Sequence, residues 1–151
     1  MQKLYKNLKR FLMWAFVFTF ILFYPMLISI YVFLPLLVGI MGYIIIRGLE
    51  QGKFSYILIG VIYFINLEVN LALPLFLTII AALVVYVTVY FKLAFLRRCK
   101  LCIPLVTVVM MDLIYLAILI SYDFMFQTSS IVLNDILQYS LIVDMLLVIL
   151  L

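Results

Sequence analysis

The sequence predicts an all-α integral membrane protein: about six short transmembrane helices, paired into three hairpins. Three observations lead there. Of the 151 residues, 71% are hydrophobic and 11% are charged, with a mean hydropathy of +1.43. A soluble domain is about 45–50% apolar and 25% charged, and a chain this size has no core that could hide the excess. Two apolar stretches are also far longer than one span requires. Finally, all ten Lys and Arg residues fall in three places: 3–10, 47–53 and 92–100.

The first span, about 11–24, follows a basic N-terminus carrying Lys3, Lys6, Lys9 and Arg10. Its apolar run outlasts a signal peptide's and no small-residue cleavage site follows, so it reads as uncleaved. Phe11 to Ile46 holds no charge over 36 residues. As one helix that run would measure about 54 Å against a hydrocarbon core of about 30 Å. A tight turn near Pro25, in Tyr24-Pro25-Met26-Leu27-Ile28-Ser29, would divide it. Pro35 would begin or kink the second span, about 30–46, because it lacks a donor and crowds the preceding turn.

Arg47, Gly48, Glu50, Gly52 and Lys53 form a polar loop. The 38 residues from Phe54 to Phe91 carry only Glu68 as a charge. Asn66, Glu68, Asn70 and Pro74 mark a second turn, between spans at about 54–67 and 74–91. Lys92, Arg97, Arg98 and Lys100 form the next basic loop. The last two spans are about 101–120 and 131–151, joined by the polar-leaning Ser121–Ser130. Six spans place all ten cations on one side, with three acids and no cation in the opposite turns. The positive-inside rule then puts both termini in the cytoplasm. The whole chain, 1–151, reads as a single transmembrane domain.

Absences narrow the function. The chain has no His, which excludes His-based triads, zincin helices and haem ligation by His. Two Cys cannot build a disulfide framework. Cys99 and Cys102 form a lone C-x-x-C, expected to stay reduced on the cytoplasmic face. The net charge of +4 reflects loop cations rather than nucleic-acid binding. Arg97, Arg98 and Lys100 are expected to meet anionic lipid headgroups. No catalytic, metal or cofactor constellation is present, so no enzyme activity and no cofactor are expected.

The intramembrane polar residues are Asp112 and Asp144. A carboxyl at that depth costs several kcal/mol unless it faces the bundle and finds a partner. They are open to two readings: an ion, proton or substrate site, or buried contacts holding helices together. Counted by helical rise, their depths differ by several ångströms, so direct pairing is not expected. Asn66, Glu68, Asn70 and Pro74 are candidate contacts for a partner or ligand, or a turn that satisfies its own backbone. In an extended segment Asn66, Glu68 and Asn70 would lie on one side; on a helix, Asn66 and Asn70 would share a face, with Glu68 opposite.

Six short spans with cytoplasmic ends, and Glu68-Val-Asn-Leu-Ala-Leu-Pro74-Leu75-Phe76 after the third, resemble the MreD family of rod-shape proteins. That family has an acid and then Pro-Leu-Gly at this place. Here Glu stands for Asp, and Phe76 stands where Gly is usual. The resemblance implies a non-catalytic scaffold of the bacterial inner membrane. Its partners would be MreC-like proteins and the peptidoglycan-synthesising machinery that sets cell shape. The alternative is the substrate-binding membrane subunit of an energy-coupling-factor importer, also small and six-spanning. Such a transport subunit docks through small-residue faces, and here Ala81 and Ala82 are adjacent while Ala72, Ala94 and Ala117 are scattered.

Overall fold

The computed structural model describes residues 2–31, 33–92, 102–127 and 136–150. These hold six α-helices and no strand: α1 Gln2–Ile30, α2 Val38–Gln51, α3 Phe54–Asn70, α4 Leu77–Lys92, α5 Cys102–Phe126 and α6 Ile136–Leu150. α1 over Tyr5–Ile30 and α5 over Cys102–Phe126 are each long and apolar enough to cross a membrane. The other four have 14 to 17 residues, about 21–26 Å, less than a hydrocarbon core.

Two expected boundaries are corrected. The chain does not turn at Pro25, because α1 runs through it to Ile30. Pro25 cannot donate to the Ile21 carbonyl one turn earlier, and a side chain of α3 takes over that bond: Asn66 Nδ2 donates to Ile21 O at 3.2 Å and to Leu22 O at 2.8 Å. The reversal instead includes the non-helical residues 31 and 33–37, so the second helix starts at Val38, after Pro35. Likewise α5 does not stop at residue 120. Ser121 Oγ donates to Ala117 O at 2.8 Å, and Tyr122 packs on Phe126 at 4.5 Å between ring centroids, so the polar-leaning segment carries the helix another turn and a half. The rest of that connection, and the expected sixth-span residues 131–135 and 151, lie outside the described residues.

Helix α2 is the hub, packing on α3, α4, α5 and α6. Glycines permit the close approach. A methyl group on Gly60 of α3 would collide with Ile45. One on Gly42 would sit 2.6 Å from Met111 of α5, and one on Gly39 would sit 2.7 Å from Val108. By contrast α1 packs on α3 alone among the helices. Only 17% of its apolar window is buried. Phe11, Leu12, Met13 and Trp14 are consecutive and all exposed, so α1 offers apolar side chains on every face.

Candidate functional site

The helices α2 and α4 begin alike. Leu34-Pro35-Leu36-Leu37 leads into Val38, and Leu73-Pro74-Leu75-Phe76 leads into Leu77. Two residues after each proline the backbone is left-handed, with φ 52° at Leu37 and φ 69° at Phe76. Such a conformation costs about 1–2 kcal/mol for a residue with a Cβ. The first N–H groups of a helix also need acceptors, and neither Leu37 nor Phe76 has a side chain that can cap. Each helix start therefore takes its acceptor from a distant carboxylate.

For α4 the acceptor is Glu68, in the last turn of α3. Phe76 N donates to its Oε2 at 2.6 Å, and Thr78 N and Thr78 Oγ1 each donate to Oε1 at 2.7 Å. Glu68 is fully buried, so it does not offer itself to a partner's surface. It is consumed in closing its own turn. Pro74 is half-buried within that turn. Asn66 and Asn70 do share the opposite face of α3. Asn70 Nδ2 donates to Asn66 O at 2.7 Å and to Asn66 Oδ1 at 2.8 Å, which turns the Asn66 amide toward α1.

For α2 the acceptor is Asp144 of α6, to whose Oδ2 Gly39 N donates at 2.8 Å. The non-helical segment before it is buried at Leu36 and Leu37 and is satisfied group by group. Leu36 N donates to Ser140 Oγ at 3.0 Å, Tyr63 Oη to Leu36 O at 2.8 Å, and Tyr24 Oη to Pro35 O at 2.9 Å. Buried irregular backbone survives only when other protein groups satisfy it in this way.

Asp112 joins this point, contrary to the depth reckoning from sequence. A Cβ on Gly39 would meet Asp112 Oδ2 and Asp144 Oδ2 each at 2.9 Å. The two oxygens are therefore within about 6 Å of each other, inside the range of strong like-charge repulsion. They converge because α2 starts in the bundle interior and both side chains reach toward its first turn. Neither oxygen of Asp112 has a hydrogen-bond partner, nor has Asp144 Oδ1. Two full charges enclosed there would cost several kcal/mol, so a proton or a cation between the carboxyls makes the arrangement tenable. No group of three or more metal-ligating side chains occurs among the described residues.

Sequence reasoning passed over Tyr63 and Ser140, and the coupling of Asn66 to Pro25. The repeated Leu-Pro-Leu was the available signal for the paired helix starts. Cys102 is disulfide-bonded rather than a free thiol, which corrects the expectation that it stays reduced. Cys99 lies outside the described residues, as do the lipid-binding candidates Arg97, Arg98 and Lys100. Comparison with family models, curated proteins and solved structures found no match in any of the three.

Proposed function

We propose that the chain is a membrane-embedded, non-catalytic accessory subunit that works by contact with other membrane proteins, and that α1 is its main contact surface. The carrying observation is the placement of α1: apolar on every face, 17% buried, and packed on one neighbouring helix. An apolar face of that size belongs in lipid or against another transmembrane helix. The same polarity runs through the described residues of the bundle, with Glu68, Asp112 and Asp144 enclosed and many Phe, Leu and Ile outward. The location proposed is the inner membrane of a bacterium. Both termini would be cytoplasmic, since Lys6, Lys9, Arg10, Arg47 and Lys53 gather where α1 begins and α2 meets α3.

The rod-shape reading, with MreC-like or cell-wall synthase partners, draws support from the six-helix layout and the acid-and-proline turn between α3 and α4. The exposed residues of that turn are apolar, Val69, Leu75 and Phe76, and they form the proposed outer contact in place of Glu68. The importer-subunit reading has less behind it, since Asn66, Glu68 and Asn70 are occupied with the protein's own backbone and with each other. Site-specific photocrosslinking from Phe16 and Phe23 in native membranes tests the proposal. Discrete protein adducts that include cell-wall elongation components are expected. Lipid adducts alone, or stoichiometric binding of a vitamin-like molecule by the isolated protein, would overturn it.

A further inference from the structure

Arg47 and Lys53 flank a cavity of about 550 Å³ at the end of the bundle where α2 meets α3. Its mouth carries Gln51 and the rings of Tyr43 and Tyr56, and its inner wall is apolar, with Ile40, Ile44 and Val148. The two cations are steered by aromatic faces: Arg47 lies 6.0 Å from the Tyr43 ring centroid and Lys53 5.5 Å from that of Tyr56. Neither is in an ion pair among the described residues. Glu50, the acid of the same loop, does not line the cavity. A second hollow of about 220 Å³ lies between α1 and α3, lined by Trp14, Phe18, Ile21 and Leu58. Val17 and Ile59 line both, so the charged cavity continues into an apolar groove.

We infer that this end of the bundle is a binding site for an anionic phospholipid, its phosphate headgroup between Arg47 and Lys53 and one acyl chain in the groove between α1 and α3. Two cations with no ion pair among the described residues, beside a polar mouth, suit a phosphate monoanion, and each basic side chain near an anionic lipid contributes about 1 kcal/mol, about fivefold in affinity. A free phosphate would use the cavity and leave the groove empty. A neutral amphiphile would use the groove and leave the cations without a counter-charge. Only a molecule with both parts uses the two hollows together. Tyr43 and Tyr56 suit the headgroup level, where amphipathic rings collect. The site would also tie α1 to the rest of the bundle at the end where protein contacts alone leave it exposed.

The inference rests on the membrane reading, and the experiment separates the two. The full chain, purified in mild detergent, is melted in mixed micelles containing phosphatidylglycerol or phosphatidylcholine, and separately with inorganic phosphate. Phosphatidylglycerol should raise the unfolding midpoint by several degrees over phosphatidylcholine, with inorganic phosphate giving little. Arg47→Gln with Lys53→Gln, both at exposed positions, should abolish most of that difference while the protein still folds. Leu58→Trp should weaken the lipid effect by filling the groove. Equal midpoints in the two lipids would overturn the inference, and so would a full effect from inorganic phosphate, which would make the site one for free anions. Alkaline carbonate washing of native membranes gives the independent control. Release of the chain would sink the membrane reading itself, whereas retention together with equal midpoints would sink only the lipid site.

Discussion

Pro25 and Asn66 form a complementary pair, one removing a backbone donor and the other supplying a side-chain donor to the carbonyl left over. Asn66→Leu should destabilise the protein by about 1–3 kcal/mol, the usual cost of leaving a buried acceptor unsatisfied. In a Pro25→Ala background the loss should be smaller, because the backbone N–H of residue 25 then serves Ile21. A double-mutant cycle on unfolding in detergent reads that coupling, and strict additivity would refute it. Asp112 gives a second residue-level expectation. Asp112→Asn is near-isosteric and carries no charge, so it should leave stability within about 1 kcal/mol if a shared proton occupies the site, the ordinary scale of an exchanged hydrogen bond. A large loss restored by added Na⁺ or K⁺ would instead assign a cation to the carboxyl pair.

At the scale of elements, the starts of α2 and α4 are the sensitive points. Glu68→Ala strips the acceptor from three donors around Thr78 and should cost at least the roughly 0.5–2 kcal/mol of an ordinary helix cap. Its effect should appear in the protein's own stability before any partner is added. Gly39→Ala should be worse than Gly52→Ala in a melting comparison. Gly39 would drive a methyl group against Val108 and both carboxyls, whereas Gly52, at φ 63° with nothing within 4 Å, pays only the left-handed penalty of about 1–2 kcal/mol. The helix borders that sequence located well are those made locally. The loop Arg47–Lys53 and the Asn66–Pro74 turn announce themselves by charge, glycine and proline. The borders it misplaced depend on tertiary contacts. Nothing near Pro25 says that a distant amide will repair the helix, and helical rise alone cannot say that α2 begins in the interior, where Asp112 and Asp144 then meet.

For the whole molecule, polarity is turned outward: large apolar side chains face the surroundings and the acids Glu68, Asp112 and Asp144 are enclosed. Six helices were legible because the apolar runs were too long for single spans and the cations clustered. The meeting of Asp112 and Asp144 at Gly39 was not, since it is not written as a motif. Orientation is open to direct measurement. With Cys99 and Cys102 changed to Ser, a cysteine at Gln51 should resist a membrane-impermeant thiol reagent added outside intact cells, and one at Val69 should react. Labelling of position 51 from outside would reject the topology.

The two capped helix starts differ in when they can be completed. The start of α4 receives its acceptor from a residue 8 to 10 positions away, so that turn can close as soon as it has been synthesised. The start of α2 waits for Ser140 and Asp144, 104 and 105 positions further on, which leave the ribosome well after it. Until α6 arrives, the inner end of the central helix has bare donors in an apolar surrounding, and the nascent bundle must remain loose or be sheltered there. A chain ending at residue 135 should therefore keep α3 and α4 protected from hydrogen exchange while residues 36–41 exchange rapidly, and it should be cleared by membrane proteases. The position of Asp144 thus makes the arrival of α6 the step that closes the start of α2.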